Sequence, residues 1–237
     1  MPFGRFFQQE LIRELRVVWP RPDALSIRYP LKEQKIASGA VLHVAPDQVV
    51  QLVYRGEYGD QFGPGRHVLT KESLPVLNRL SSWPYGSGQP FQADLYFLNT
   101  GPVRAVPFRT YNAIFWDHAA LRKVPLRFAG DFDARMVDPR RFLTEVAGAD
   151  QAFYAAEFGD SIRLRMIELI LQAARSAKLS VGQWRRDVAK LGTLFLPAVA
   201  AAARTEYGFD VEALRLREVT MPPEIETKLA AVGWGGD

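Results

Sequence analysis

Two periodicities divide the chain. Over residues 3–19, Phe3, Phe7, Leu11, Leu15 and Val18 recur at helical spacing while Arg5, Gln9, Arg13 and Arg16 fall opposite, which predicts an amphipathic helix stopped by Pro20-Arg21-Pro22. From residue 24 to 110 the period shortens to two. Leu25, Ile27 and Tyr29 alternate with polar residues, and segments 41–44, 49–54, 67–69, 94–99 and 103–108 read as short strands punctuated by Gly, Pro, Asp and Asn. Leu95-Tyr96-Phe97-Leu98 is apolar on both faces, as a central strand covered above and below would be. Gly63-Pro64-Gly65-Arg66 reads as a type II turn: Pro64 sets φ at its second position and Gly65 supplies positive φ at its third. Strand 49–54 and the segment from Phe62 onward then form an opening hairpin. An aromatic loop over 74–92 is expected to pack back on the sheet.

The longest pattern covers 123–137. Val124, Leu126, Phe128, Phe132, Ala134 and Met136 share one face and Lys123, Arg127, Asp131, Asp133 and Arg135 the other, with Gly130 on the apolar side at a bulge or close backbone approach. This predicts a long strand with one wet face. Asp138-Pro139 then caps a short helix, and 158–177 is a longer one with Ile162, Met166 and Ile170 inward. Ser180 with Gln183 makes a capping box, Pro197 marks a break or kink, Gly208 ends the following helix, and 211–219 returns as a strand.

At 237 residues, 48% of them hydrophobic, the chain can bury a sizeable core as one large domain or two small ones. It has no cysteine, which removes disulfides, thiolate nucleophiles and sulfur-ligated zinc. The net charge of +4 is spread along the chain. Its arginine pairs, Arg140-Arg141 and Arg185-Arg186, each precede a helical pattern, so no nucleic-acid partner is expected. No apolar run reaches the roughly 18 residues of a membrane span, and charges interrupt the first 19 residues as no signal peptide would. Membrane contact would be peripheral. The apolar side of the N-terminal helix either lies in a membrane interface or docks on its own domain or a partner chain, and Glu14 at its edge speaks for docking.

Candidate chemistry is sparse. Ser87 lacks a full Gly-x-Ser-x-Gly elbow, and His43, His67 and His118 stand alone without metal-ligand spacing. Asp131 and Asp133 are successive outward positions flanked by Arg127 and Arg135, the pattern of a surface charge ladder. No phosphate-cradling glycine loop precedes a helix. No catalytic residue, cofactor, metal or small-molecule substrate is expected.

The succession of features resembles the SPFH or band 7 domain (stomatin, prohibitin, flotillin, HflK/C) over nearly the whole chain, and within it the bacterial virion-core-protein-like branch. The closer likeness rests on Arg28-Tyr29-Pro30, Gly39, Gln48, Asp60, Phe62-Gly63-Pro64-Gly65, Thr70, Leu74-Pro75, Leu77, Leu80, Trp83, Tyr85-Gly86, Pro90-Phe91, Ala93, Tyr96-Phe97 and Asn99-Thr100. Val137-Asp138-Pro139, Phe142 and Tyr207-Gly208-Phe209 are similar to the wider superfamily. The resemblance implies an α+β fold, an antiparallel sheet with packed helices, preceded here by the amphipathic helix. It implies a domain over 23–221, after an N-terminal element over 1–22 and before a short helix over 222–237 at the family's coiled-coil position. Without a long coiled coil or the branch's zinc ribbon, a ring or cage of the usual size is not expected. The implied role is a non-enzymatic scaffold, cytoplasmic and peripheral at the inner face of the cell membrane, touching lipid or membrane proteins and self-associating, in membrane organisation or envelope stress. Phe3, Phe7, Leu11, Leu15 and Val18 are the expected membrane or self-association residues, and Gly63, Pro64 and Gly65 the structural turn. A cytosolic oligomeric interaction module without membrane contact is the alternative, and a basic nucleic-acid-binding protein a lesser one.

Overall fold

A computed structural model describes residues 11–29, 34–70, 73–79 and 89–235. In chain order its strands are β1 (Ile12–Leu15), β2 (Ala24–Tyr29), β3 (Ile36–Val44), β4 (Gln48–Tyr54), β5 (Glu57–Phe62), β6 (Gly65–Leu69), β7 (Asp94–Asn99), β8 (Pro102–Arg109), β9 (Ile114–His118), β10 (Arg122–Met136), β11 (Ala152–Tyr154) and β12 (Phe209–Thr220). The helices are α1 (Pro75–Arg79), α2 (Pro139–Phe142), α3 (Ala155–Ser176), α4 (Val181–Arg186), α5 (Val188–Ala202) and α6 (Pro223–Val232), with π-helical turns at Leu143–Ala147 and Ala203–Tyr207. The fold is α+β, with antiparallel sheets and packed helices. It divides into two compact units: residues up to Gly101 together with Ala147–Tyr154, and Pro102–Val146 together with Ala155–Asp237.

The first unit holds a five-stranded sheet, β11-β2-β7-β4-β5, and a three-stranded one, β1-β3-β6. Their shared core contains Leu15, Ile36, Leu42, Val50, Leu52, Leu95 and Phe97, all without solvent exposure. Strand β7 lies between β2 and β4, which accounts for the unbroken apolar run at 95–98. The hairpin tip is at Arg55-Gly56, between β4 and β5, where φ values of 52° and 83° match the twist of a type I′ turn. Residues 63–66 therefore do not close a hairpin. They carry the chain from β5 to β6, which pairs with β3 in the other sheet. Gly65 does have positive φ, at 132°, but the Gly63 carbonyl is bonded by His67 Nε2 at 2.8 Å, so the expected type II turn is a bend between sheets.

The N-terminal helix also requires correction. Residues 12–15 are a strand running parallel to β3, with Leu15 opposite Leu42. Ile12, Val17 and Trp19 pack on the core while Val18 is 80% exposed. From Leu15 onward the inward positions are 15, 17 and 19, a period of two, and pairing with β3 selects it over the helical spacing of Leu11, Leu15 and Val18. Phe3 and Phe7 lie outside the described residues, as does the loop over 80–88.

In the second unit β10 is the axis. Strand β12 pairs along one edge and β8, then β9, along the other. Its apolar face stacks rings against the helices: Phe128 on Trp184 at 5.7 Å, Phe132 edge-on to Phe158 at 6.0 Å, and Phe158 on Phe209 at 4.2 Å. The Asp138 N-cap, the Ser180–Gln183 capping box and Gly208, with φ 77°, occupy their expected places. Pro197 does not break α5. Both Pro197 and Thr193, whose carbonyl loses its bond, are exposed, so water can satisfy that oxygen. The resulting helical stretch Val188–Tyr207 is long and apolar enough to cross a membrane by length and composition, yet Leu191, Gly192, Phe195 and Val199 on α5 are buried. A Cβ on Gly192 would lie 2.0 Å from the Leu214 carbonyl oxygen, and one on Gly130 would lie 2.1 Å from that of Arg215, where β10 bulges between Ala129 and Gly130.

These two contacts are with backbone, which cannot step aside. Gly192→Ala and Gly130→Ala should each lower stability by on the order of 3 kcal/mol. Gly63→Ala, at a position open to solvent, should be near neutral. Urea unfolding midpoints of the three variants check this, and unchanged midpoints at 130 and 192 would refute the close approach.

Candidate functional site

The paired carboxylates on β10 were the nearest thing in the sequence to a reactive constellation. Asp131 lies opposite Arg215 of β12, and the Arg215 side chain reaches both acids. Its Nε donates to Asp131 Oδ1 at 2.6 Å, while Nη1 and Nη2 donate to Asp133 at 3.1 and 2.5 Å. Arg217 donates to the other Asp131 oxygen, and Arg104 of β8 donates to Asp133 Oδ2 at 3.2 Å. Ala105, held at φ 53° where β8 bulges, donates its N–H to Asp133 Oδ1 at 2.9 Å. Arg104 and Arg135 continue the row to Glu212.

This is a charge ladder, but its rungs cross the sheet. The expected partners, Arg127 and Arg135 along the same strand, are replaced by arginines of β12 and β8, because lateral neighbours in a sheet stand closer than alternate residues of one strand. Both aspartates are also 8% exposed, drier than a surface ladder. Burial alone would push the Asp131 carboxyl up, but hydrogen bonds from Arg217 and Arg215 overcome it and hold the group below its ordinary value. Asp133 is held well below the carboxylate range, first by Arg215 against desolvation, then by the Ala105 N–H and Arg104. The same bonds raise Arg215. A general base needs a proton affinity near the working pH and a free lone pair. These carboxylates have their oxygens engaged and stay ionised.

Two of the three histidines are tied to the backbone. His118 Nδ1 accepts from the Leu121 N–H at 3.2 Å, which leaves Nε2 to donate to the Gly233 carbonyl at 3.1 Å. His67 is tied to Gly63 and packs on Phe62 at 5.2 Å. Among the described residues no group of three or more His, Asp or Glu could hold a metal ion. Ser87 lies outside them.

The expected association residues do not share one surface. Leu15 is buried, Leu11 half-buried and Val18 exposed. Beside Val18 is an open pocket of about 500 Å³, lined by Arg16, Trp19, His43, Asp47 and Gly65 among others. Gln48 builds it. The side chain is buried, donating from Nε2 to the Val17 carbonyl at 3.1 Å and accepting the Ala45 N–H at 3.2 Å, so it ties the N-terminal segment to the β3–β4 turn. Sequence reasoning missed this pocket because its helical reading pointed Val18 and Leu15 the same way.

Because both aspartates are more acidic folded than unfolded, their stabilisation is complete above the ordinary carboxylate range and is lost as pH falls through it towards the depressed folded values. Asp133→Asn should cost about 1–3 kcal/mol at neutral pH and flatten the decline in stability from about pH 5 downward. Urea midpoints across that range test it. A variant with the wild-type midpoint and slope would show that the network contributes nothing.

No curated protein matches the chain. The family model that does match spans residues 26–234, from β2 of the first unit to the segment after α6 in the second. On that match the chain belongs to the SPFH domain-Band 7 family.

Proposed function

We propose that the protein is a non-enzymatic scaffold held peripherally at the inner face of the cell membrane, where it self-associates and organises lipid or membrane proteins, in membrane organisation or envelope stress. The family match over 26–234 carries the reading, since the family is generally non-enzymatic and membrane-associated. Two local features support it. The Asp131–Asp133 pair is neutralised by arginines, and Val18 stands 80% exposed at the end of a segment whose neighbours Val17 and Trp19 are packed. A cytosolic oligomeric module is the second reading, favoured by the docking of Leu15, Val17 and Trp19 on their own domain.

Vesicle flotation and light scattering on the full chain separate the two. The wild type should float with vesicles, and Val18→Ser, which removes an exposed side chain, should reduce flotation several-fold with the unfolding midpoint unchanged. Replacing Phe3, Phe7 and Leu11 together by Ser should reduce it further. A chain that forms a defined oligomer but floats with no vesicle composition would establish the cytosolic reading.

A further inference from the structure

The outer face of the three-stranded sheet gathers unpaired positive charge. His43 pairs laterally with Arg66 of β6. On the other side Leu15 of β1 is abreast of Leu42, so Arg16, one residue on, comes abreast of His43. Leu42 and Val44 are buried, hence the intervening row Arg16–His43–Arg66 projects from the opposite face. With strands about 4.8 Å apart, the three side chains start within about 10 Å of one another. Neither arginine has an ion-pair partner among the described residues. That contrasts with Arg104, Arg165, Arg215 and Arg217, all held by carboxylates. Arg16 and His43 line the pocket of about 500 Å³ braced by Gln48, a volume suited to a small polar group.

We propose that this pocket binds the phosphate of an anionic lipid headgroup, with Arg16 and His43 of its lining as donors and Arg66, the cross-strand neighbour of His43, reaching in from outside the lining. The inference rests on the membrane-associated reading above and names the chemistry that reading would recognise. A bilayer lipid is favoured over a free phosphate by the surface around the row. Val18 is 80% exposed at its end, and the next outward row contains Val68, 38% exposed, beside Val41. A soluble anion would leave these in water, whereas a bilayer takes charge and apolar surface together. Two carboxylates are near: Asp47 on the pocket rim and Glu14 abreast of Val41. Asp47 is the one that would oppose the phosphate directly.

The test uses the full chain in flotation with phosphatidylcholine vesicles and with vesicles containing phosphatidylglycerol. Binding should be stronger to the anionic vesicles, and Arg16→Gln and Arg66→Gln should each reduce that preference about fivefold. Asp47→Asn should strengthen it, a gain that misfolding cannot mimic. Val18→Ser should weaken binding to both compositions. Equal binding to both vesicles, or a preference that survives the double arginine variant, overturns the site while leaving the membrane reading standing. Failure to bind any vesicle removes that reading as well. Binding of inorganic phosphate that the same arginine variants abolish, with no preference between vesicles, would make the ligand a free phosphate and overturn the lipid assignment.

Discussion

The constraint on which the second unit depends is the lateral squeeze on β12. Gly130 of β10 and Gly192 of α5 each leave the room that a Cβ would take from a backbone carbonyl of adjoining residues, Arg215 and Leu214. No other residue type permits that distance. With β12 drawn against the bulged β10, the Arg215 side chain is delivered between Asp131 and Asp133, and the inward-facing Leu214 and Leu216 close the core beneath α5. The bulge, the helix packing and the ion network meet at these two close approaches.

That dependence explains what could be read from sequence and what could not. The alternation along β10, the glycine within it, the Asp138 and Ser180 caps and the doubly buried β7 are set by residues a few positions apart. The partners of Asp131 and Asp133 are not. Arg215 is 84 residues from Asp131, so a local reading assigned the nearest arginines on the same strand. The N-terminal segment failed for a different reason: residues 11–19 satisfy both periods, and only β3 decides between them. At Arg55-Gly56 a positive φ on arginine hid the hairpin tip, while Pro64-Gly65 showed a stronger turn signal at a place where the chain merely changes sheets.

Several polar residues that carried the family resemblance turn out to spend their side chains on backbone. Gln48 bridges the Val17 carbonyl and the Ala45 N–H, Asn99 bridges the Ala24 carbonyl and the Gly101 N–H, and Asp60 accepts the Val76 N–H at the start of α1. Each is buried, and each satisfies main-chain groups at a point where a strand ends or a helix begins. A fold can thus be recognised from polar residues whose side chains serve the main chain, because those residues specify where the chain turns.

The same accounting separates inert charge from available charge. On β10 both oxygens of Asp131 and of Asp133 have donors, so desolvation is already compensated and a ligand would have to displace an arginine to gain anything. On the outer face of β1-β3-β6 the situation is reversed. Arg16 and Arg66 are exposed and have no ion-pair partner among the described residues, so a phosphate bound there would exchange only water for its bonds, at a position where Val18 and Val68 would gain by leaving water at the same time. Saturation of charge marks the part of this protein that holds its shape, and unpaired charge beside exposed apolar surface is what the proposed lipid site draws on.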